Sequence, residues 1–289
     1  MARTRNGKMT IEILEPHGFC AGVTGALRKA LKLADASRSL CAKAQTLYCL
    51  HELVHNEIVV AELKSRGFVF VESLDEVPEG AKVLFSAHGV SPAVRAQAEA
   101  RRLDVVDATC PFVTRVHDAA RAFAARGLHV AVVGKASHAE VKGILGEVPC
   151  ASVVASVDEA RSFECPDAAT VPVGVVSQTT MNADEVREIV AALRDRFEVE
   201  TMADVCGATK ERQDAVKAFD GDALLVLGSA NSSNTRRLCE VARCRTFRAG
   251  TMEEVGALDF TGVVRLGVTS GASTPEEFFN NVVKKLKDR

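Results

Sequence analysis

The sequence predicts an α/β protein made of three similar domains, each built around a parallel sheet. Short runs of Val, Leu and Ile alternate with amphipathic helix patterns along the whole chain of 289 residues. Such apolar runs are typical of strands that are buried on both faces of a parallel sheet. Their alternation with helices indicates sheets covered by helices, and a repeat of roughly a hundred residues indicates several domains of this kind.

The strand and helix patterns follow one another in a regular order. The clearest strand patterns are TIEIL (10–14), VLFSA (83–87), HVAVVG (129–134), VGVVS (173–177), ALLVLG (223–228) and VRLGVTS (264–270). The clearest helix patterns cover 92–102, 112–126, 183–196 and 275–287. Polar residues between a strand and the next helix lie at the carboxyl end of the strand, where open α/β sheets bind their ligands.

Three cysteines mark the internal repeat. Cys20, Cys110 and Cys206 each lie between a strand pattern and a helix pattern, at similar intervals along the chain. Each cysteine is followed by two further strand-to-helix joints that carry polar residues. These are His55 and His88 after the first cysteine, His138 and Thr179 after the second, and Ser232 and Ser273 after the third.

The repeat divides the chain into three α/β domains, which we place at 15–108, 109–203 and 204–289. We expect the N-terminal strand, 10–14, to complete the sheet of the third domain. If the domains face one another about a pseudo-threefold axis, the polar joints converge on one central cavity, because all of them lie at the carboxyl ends of strands.

Charge and hydropathy exclude several classes of protein. Lys and Arg total 36 against 38 acidic residues, so the chain has no excess of basic charge for nucleic acid or a membrane surface. No apolar run approaches the roughly 18 residues of a transmembrane helix. The basic start, MARTRNGKMT, leads into no apolar segment and does not resemble a signal peptide. We therefore expect a cytoplasmic protein that binds neither nucleic acid nor a membrane.

The cysteine pattern argues against a disulfide framework. The nine cysteines are an odd number in a long chain, and no C-x-x-C pair occurs among them. The absence of that pair also argues against thioredoxin chemistry and zinc ribbons. We interpret the cysteines outside the repeat as packing residues: Cys41, Cys49, Cys150, Cys165, Cys239 and Cys244.

The cysteines of the repeat admit two kinds of chemistry. Helix N-termini favour the thiolate form of cysteine, and thiolates that are far apart in sequence suit an iron–sulfur cluster. Three of them can hold three irons of a [4Fe–4S] cluster and leave the fourth iron open to substrate or water. The alternative is nucleophilic catalysis by one cysteine with a histidine, which leaves the other two cysteines unexplained.

The remaining joints carry groups that are suited to an anion. Helix starts bind phosphate through their backbone N–H groups, although Ser and Asn are also the usual helix caps. Histidines can donate hydrogen bonds to a diphosphate, although a single one can simply satisfy a loop carbonyl. The candidates are His55, His88, His138, Ser232, Ser233, Asn234 and Ser273. The other histidines lack the repeat setting and are interpreted as structural: His17, His51, His117 and His129.

Glu140 and Thr179 are the candidates for proton transfer. A glutamate that is buried beside an anionic ligand can hold a proton and deliver it to a reaction centre, although Glu140 also suits the first turn of a helix. Thr179 can bond a substrate hydroxyl or cap its helix. The sequence contains neither G-x-x-x-x-G-K-[ST] nor G-x-G-x-x-G, so electrons would come from a protein donor rather than a nicotinamide.

The chain resembles the LytB/IspH family of 4-hydroxy-3-methylbut-2-enyl diphosphate reductases. The matching segments span nearly the whole chain in the order of the family. They are GFCAGV (18–23), HELVHNEIVV (51–60), SAHGVS (86–91), DATCP (107–111), HAEVKG (138–143), SQTT (177–180), NSSN (231–234) and GVTSGAST (267–274). Together these segments are specific, whereas each alone is weak.

The resemblance implies a site and a reaction. It implies a [4Fe–4S] cluster on Cys20, Cys110 and Cys206, and a substrate hydroxyl near Thr179 and Glu140. It also implies a diphosphate bound by the histidine, serine and asparagine candidates given above. Two electrons from ferredoxin or flavodoxin, together with protons, would remove the hydroxyl as water. The products would be isopentenyl and dimethylallyl diphosphate, in the last step of the non-mevalonate pathway.

Several positions depart from the usual pattern of the family. They are Thr24, Leu50, Ala139, Gly207 and Ala230. None of them removes a proposed ligand or proton donor, but they change the surroundings of such residues. The alternatives are therefore a divergent paralogue that reduces another allylic diphosphate, a cysteine-dependent hydrolase or transferase with a phosphate pocket, and a non-catalytic iron–sulfur regulator.

Overall fold

The computed structural model describes residues 9–40, 46–165, 172–203 and 205–288. Within these ranges the chain forms three four-stranded sheets whose strands all pair in parallel, with helices in the connections. The predicted α/β class with three parallel sheets is thus confirmed. The arrangement of the domains about a central cavity and the domain boundaries stay predictions.

The strands of each sheet are close in sequence, apart from the first strand. The first sheet, in the order β3-β2-β4-β5, contains β2 (Leu47–Leu50), β3 (Phe68–Val71), β4 (Lys82–Phe85) and β5 (Asp104–Asp107). The second sheet, in the order β7-β6-β8-β9, contains β6 (His129–Val133), β7 (Ala151–Val154), β8 (Val173–Ser177) and β9 (Val199–Ala203). The third sheet, in the order β1-β12-β10-β11, contains β1 (Thr10–Ile13), β10 (Ala223–Leu227), β11 (Arg245–Ala249) and β12 (Arg265–Ser270).

Helices follow most strands. Those before the third sheet are α1 (Ala21–Leu40), α2 (Glu57–Ser65), α3 (Pro92–Ala100), α4 (Pro111–Ala125), α5 (Ala139–Leu145), α6 (Val157–Ser162) and α7 (Ala183–Arg194). The later ones are α8 (Gly207–Ala218), α9 (Ser233–Val241), α10 (Met252–Ala257) and α11 (Glu276–Lys287). A short 3-10 helix covers Leu74–Glu76. None of the helices in the described ranges is long and apolar enough to cross a lipid bilayer.

The described residues form two compact units. The one-sheet unit comprises the described parts of Met1–Cys20, His55–Glu57 and Gly207–Arg289, and contains the third sheet. The two-sheet unit comprises the described parts of Ala21–Val54 and Ile58–Cys206, and contains the first and second sheets. The N-terminal strand β1 pairs with β12, so the two ends of the chain share one sheet.

Tight packing of helices on strands explains the apolar runs of the sequence. All residues of β8 and of β10 are buried, as expected for strands that are covered on both faces. Phe123 of α4 is fully buried and lies against β8, where a Cβ atom on Gly174 would come within 2.5 Å of its ring. Glycine at this strand position therefore makes room for the aromatic ring of the helix.

Candidate functional site

Cys110 lies at the start of α4, where the sequence placed a thiol beside a proline. It is the N-cap residue, and Pro111 takes the first helical position, where a missing N–H costs no hydrogen bond. The Cys110 side chain does not cap the helix. Its backbone N–H donates to the carbonyl of Ala87 at 3.0 Å, which joins the cysteine to the end of β4. The thiol therefore belongs to the positive end of a helix dipole, which favours thiolate.

The other two cysteines of the repeat have similar backbone settings. The backbone N–H of Cys206 donates to the carbonyl of Thr179 at 3.1 Å, within the two-sheet unit. The backbone N–H of Cys20 donates to the carbonyl of Ala272 at 3.1 Å, within the one-sheet unit. In both cases a second strand-to-helix joint holds the backbone of the cysteine.

His88 and His138 lie next to each other in the two-sheet unit. Their ring centroids are 5.6 Å apart, and the rings are nearly perpendicular. His138 is the N-cap of α5, and its Nδ1 accepts a hydrogen bond from the backbone N–H of Glu140 at 3.2 Å. Because Nδ1 is the acceptor, the proton of the neutral ring is on Nε2. His138 thus offers Nε2–H as a donor, and the pair can serve an anionic ligand.

Glu140 and Thr179 form a buried pair in the same unit. The backbone N–H of Thr179 donates to Glu140 Oε1 at 2.7 Å, and the hydroxyl of Thr179 donates to Oε2 at 3.1 Å. Glu140 is only 2% exposed. Burial disfavours the carboxylate and raises the pKa of Glu140 to about 7, against the two hydrogen bonds from Thr179, which lower it. A group with this pKa can hold a proton at neutral pH and release it.

The serine and asparagine candidates open α9 in the one-sheet unit. Ser232 is the N-cap, and its hydroxyl accepts from the backbone N–H of Thr235 at 3.3 Å. Ser233 and Asn234 are the first residues of the helix and are buried. Both polar atoms of the Asn234 amide are buried without a hydrogen-bond partner. Such atoms are costly unless a partner bonds them, and the Nδ2–H group can donate to an anion at this helix start, such as a diphosphate.

Ser273 and His55 are joined in the one-sheet unit. The hydroxyl of Ser273 donates to the backbone carbonyl of His55 at 3.1 Å. The hydroxyl of Ser229 donates to Glu57 Oε1 at 2.7 Å, which gives the segment 55–57 a second anchor. The structure thus brings His55 to the joint of Ser273, although the two residues are far apart in sequence.

Sequence reasoning missed residues that shape these joints. Thr235 is fully buried, and Cβ atoms on Gly228 and Gly271 would come within 2.4 and 2.2 Å of its hydroxyl oxygen. The joints after β10 and β12 therefore close around Thr235. Arg212 of α8 is 3% exposed, and its Nη2 donates to the carbonyl of Gly18 at 2.9 Å. Neither residue lies at a joint, so no spacing pattern could reveal it.

The packing interpretation holds for most of the remaining cysteines. Cys49 is fully buried in β2, and burial raises the pKa of its thiol to about 12. Partly buried cysteines pack against the apolar cores: Cys165, Cys239 and Cys244. The interpretation is wrong for Cys150, which is exposed because it lies in the bend before β7. Cys41 lies outside the described residues.

The repeat cysteines are partly buried thiols. Within the ranges that the structure describes, no group of three or more His, Cys, Asp or Glu side chains is arranged to hold a metal ion. The donor set nevertheless suits an iron–sulfur cluster, because two of the three cysteines directly precede a helix and the third caps one. That the three sulfurs bind one cluster stays a prediction.

Comparison with known proteins identifies the family. The model of the family described as LytB protein matches residues 11–287. The chain belongs to the LytB family. This match covers all of the segments on which the resemblance was based.

Several relatives of this LytB protein are named for one activity. A 4-hydroxy-3-methylbut-2-enyl diphosphate reductase of Phenylobacterium zucineum is 42% identical, over 97% of this chain and 90% of that protein. A protein of Ralstonia nicotianae with the same name is also 42% identical, over 95% of this chain and 85% of its own length. The E-1-hydroxy-2-methyl-but-2-enyl-4-diphosphate reductase of Plasmodium falciparum has a solved structure that is similar, with a TM-score of 0.89 and 31% identity, over 96% of this chain and 88% of that one.

Proposed function

We propose that this protein is a 4-hydroxy-3-methylbut-2-enyl diphosphate reductase, which forms isopentenyl and dimethylallyl diphosphate in the last step of the non-mevalonate pathway. The observation that carries the proposal is the buried Glu140–Thr179 pair beside His88 and His138, in a chain whose relatives have this name. A proton donor and an anion site within one unit are what the removal of a hydroxyl from an allylic diphosphate requires.

The reaction defines what the site must supply. The C–O bond to the hydroxyl breaks, and the oxygen leaves as water after it takes up one proton. The allylic carbon skeleton takes up two electrons and a second proton, which forms a C–H bond. The site therefore needs a source of electrons, a proton donor near the hydroxyl and groups that bind the diphosphate.

The thiols of Cys20, Cys110 and Cys206 would hold a [4Fe–4S] cluster with its fourth iron open to substrate or water. When bound, this cluster supplies electrons one at a time and a Lewis-acidic iron. Each of these cysteines directly precedes a helix, and such a cluster binds cysteine as thiolate. Electrons reach the site from a protein donor of the ferredoxin or flavodoxin class, since the sequence has no nicotinamide-binding motif.

The histidine, serine and asparagine candidates bind the diphosphate. His88 and His138 donate from imidazole nitrogens, and His138 donates from Nε2 because its Nδ1 accepts from the backbone N–H of Glu140. The Nδ2–H group of Asn234 donates to a diphosphate oxygen and gains the partner that it lacks within the protein. The remaining members of the site donate from side chains or helix-start N–H groups: His55, Ser232, Ser233 and Ser273.

Glu140 holds the proton, and Thr179 passes it towards the substrate hydroxyl. In the protonated form, Oε2–H of Glu140 donates to the hydroxyl oxygen of Thr179, and the hydrogen bond between these atoms reverses its direction. The O–H of Thr179 is then available for the substrate. The backbone N–H of Thr179 keeps its bond to Oε1 throughout, so the carboxyl group does not rotate.

We expect the protein to carry out this function in the cytoplasm. Its partners are an allylic diphosphate and a reduced protein donor, and neither nucleic acid nor a membrane takes part.

The test is turnover by protein that is purified without oxygen. With a reduced viologen dye as donor, we expect 4-hydroxy-3-methylbut-2-enyl diphosphate to be consumed and both products to appear, at two electrons per molecule. Other allylic diphosphates that carry a hydroxyl serve as competing substrates and identify a divergent paralogue. Protein that contains the cluster but consumes none of these compounds would contradict the proposal and favour a regulator.

A further inference from the structure

A buried imidazole packs between two glycines beside the anion site of the two-sheet unit. His117 of α4 is 4% exposed. A Cβ atom on Gly89 would lie 3.1 Å from its Nε2, and a Cβ atom on Gly143 would lie 3.1 Å from its Cε1. Both distances are shorter than ordinary packing contacts, so the two glycines leave the space that this edge of the ring occupies.

The other ring nitrogen of His117, Nδ1, is fixed by a buried carboxylate. His117 Nδ1 lies 2.7 Å from Glu147 Oε1, and the other oxygen of Glu147 accepts from Arg121 Nη1 at 2.6 Å. The side chain of Glu147 is only 3% exposed. Because the carboxylate is an acceptor, Nδ1 carries a proton. Nε2 is buried without a hydrogen bond. The ring edge that faces the glycines therefore interacts with them through van der Waals contacts.

The two glycines belong to the segments that carry the anion-binding groups. Gly89 directly follows His88, and its φ of +77° is in the region that favours glycine. Gly143 lies in α5, the helix that begins after His138 and contains Glu140. A Cβ atom on Gly143 would lie 3.7 Å from the carbonyl carbon of Gly89, so the two backbones approach each other at this point.

We propose that His117 is a positioning residue, which sets the separation of His88 and His138 so that both rings reach one diphosphate. The proposal rests on the proposed function. The imidazole packs against the loop of His88 and the helix of His138 where the two segments meet, and Glu147 fixes its orientation. A smaller side chain leaves space beside this contact, so the segments can shift, and an added methyl group on either segment pushes it away from the ring.

The first test compares two variants of the anaerobic holoprotein by the Kd of inorganic pyrophosphate, measured by calorimetry. His117→Asn keeps a donor for Glu147 and removes the ring edge between the glycines. We expect its Kd, and the KM for substrate, to rise about tenfold, because small misplacements of binding groups cost this much or more. Glu147→Gln keeps the ring and an accepting oxygen, and we expect a Kd within about twofold of the wild type.

A second variant separates positioning from stability. Gly143→Ala improves the helix propensity of α5, but its Cβ atom would lie 3.1 Å from the His117 ring. We expect the two effects to offset each other and the Tm to stay close to the wild type. Its methyl group pushes against the His117 ring, and we expect weaker pyrophosphate binding, by about tenfold. The matched control is Gly256→Ala in α10, where the added Cβ atom meets only the end of the Lys285 side chain, at 3.4 Å. This control should bind pyrophosphate as the wild type does.

Two results would overturn the positioning role while the proposed function stands. One is that His117→Asn and Gly143→Ala both bind pyrophosphate within about twofold of the wild type. The other is that binding weakens only in variants whose Tm has fallen, or weakens equally in Glu147→Gln. Wild-type holoprotein that neither binds pyrophosphate nor turns over substrate would contradict the proposed function itself.

Discussion

The two units differ in how the polar groups of their candidate residues are satisfied. In the two-sheet unit, Glu140 accepts two hydrogen bonds from Thr179, and His138 accepts one from the helix that it caps. In the one-sheet unit, the amide of Asn234 is buried with no partner for its nitrogen or its oxygen. The groups of the two-sheet unit are therefore held in place by hydrogen bonds within the protein. The Asn234 amide of the one-sheet unit lacks such bonds, and a ligand can supply one.

This difference indicates different roles for the Glu140–Thr179 pair and the Asn234 amide. A carboxyl group that is fixed by Thr179 and buried enough to hold a proton suits chemistry, because its geometry is set before the substrate arrives. An unsatisfied amide at a helix start suits binding, because the ligand completes its hydrogen bonds. Variants of the Glu140–Thr179 pair should change the turnover rate, and variants of the helix start at Asn234 should change affinity.

The largest effect is expected for Glu140→Gln. Glutamine keeps the shape of the side chain and an accepting oxygen for Thr179, but it has no proton to deliver. We expect kcat to fall by about 10²- to 10⁴-fold, while iron content and pyrophosphate binding stay close to the wild type. Steady-state kinetics with a reduced dye measure the effect, and Glu253→Gln on the surface of α10 is the control. A fully active Glu140→Gln would remove the proton-delivery role.

A smaller effect, on affinity, is expected for Asn234→Leu. Leucine has a similar size and no polar atoms, so the ligand-free protein should keep or raise its Tm. The KM and the Kd of pyrophosphate should rise about tenfold, because hydrogen bonds to the ligand are lost. Asn182→Ala is the opposite control, since that side chain caps α7 through the N–H of Asp184. Asn182→Ala should lower the free energy of unfolding by about 1 kcal/mol and leave KM unchanged. A loss of stability without a change of KM in Asn234→Leu, or a raised KM in Asn182→Ala, would contradict the assignment of Asn234 to ligand binding.

The smallest effect is the pH dependence of kcat that the protonation of Glu140 causes. Burial raises the pKa of Glu140 to about 7, so its protonated form is lost as the pH rises through that value. We expect kcat to fall about fivefold between pH 7 and pH 8, and the profile of Glu140→Gln to be flat over this range. The same shift makes the free energy of unfolding decline as the pH rises from 4.5 towards 7. A wild-type kcat that does not fall between pH 7 and pH 8 would show that another group delivers the proton.

Much of the fold could be predicted from patterns in the sequence. The strand predicted at 173–177 is β8 without change, and the helix predicted at 275–287 begins one position later as α11. The helix predicted at 92–102 was too long, because α3 ends at Ala100 and Arg102 adopts a positive φ of 54°. Neither glycine nor proline marks that helix end, so the sequence offered no stop signal.

The candidate site was predictable only where a residue occupies a strand-to-helix joint. His88 and His138 follow β4 and β6, strands of two different sheets, so their proximity was expected only if the joints of separate domains converge. The interpretation of His117 as structural agrees with its burial, but its contacts with Gly89 and Gly143 were not predictable. Those contacts depend on the packing of α4 against segments that are remote in sequence, and no periodicity reports such packing.

The central claim is that Cys20, Cys110 and Cys206 hold one iron–sulfur cluster, and iron content tests it most directly. Protein purified without oxygen should be brown and contain about four irons per chain. Cys206→Ser should lose most of this iron and the visible absorbance, whereas Cys150→Ser, at an exposed cysteine outside the repeat, should keep both. Equal iron in Cys206→Ser and the wild type would contradict the account.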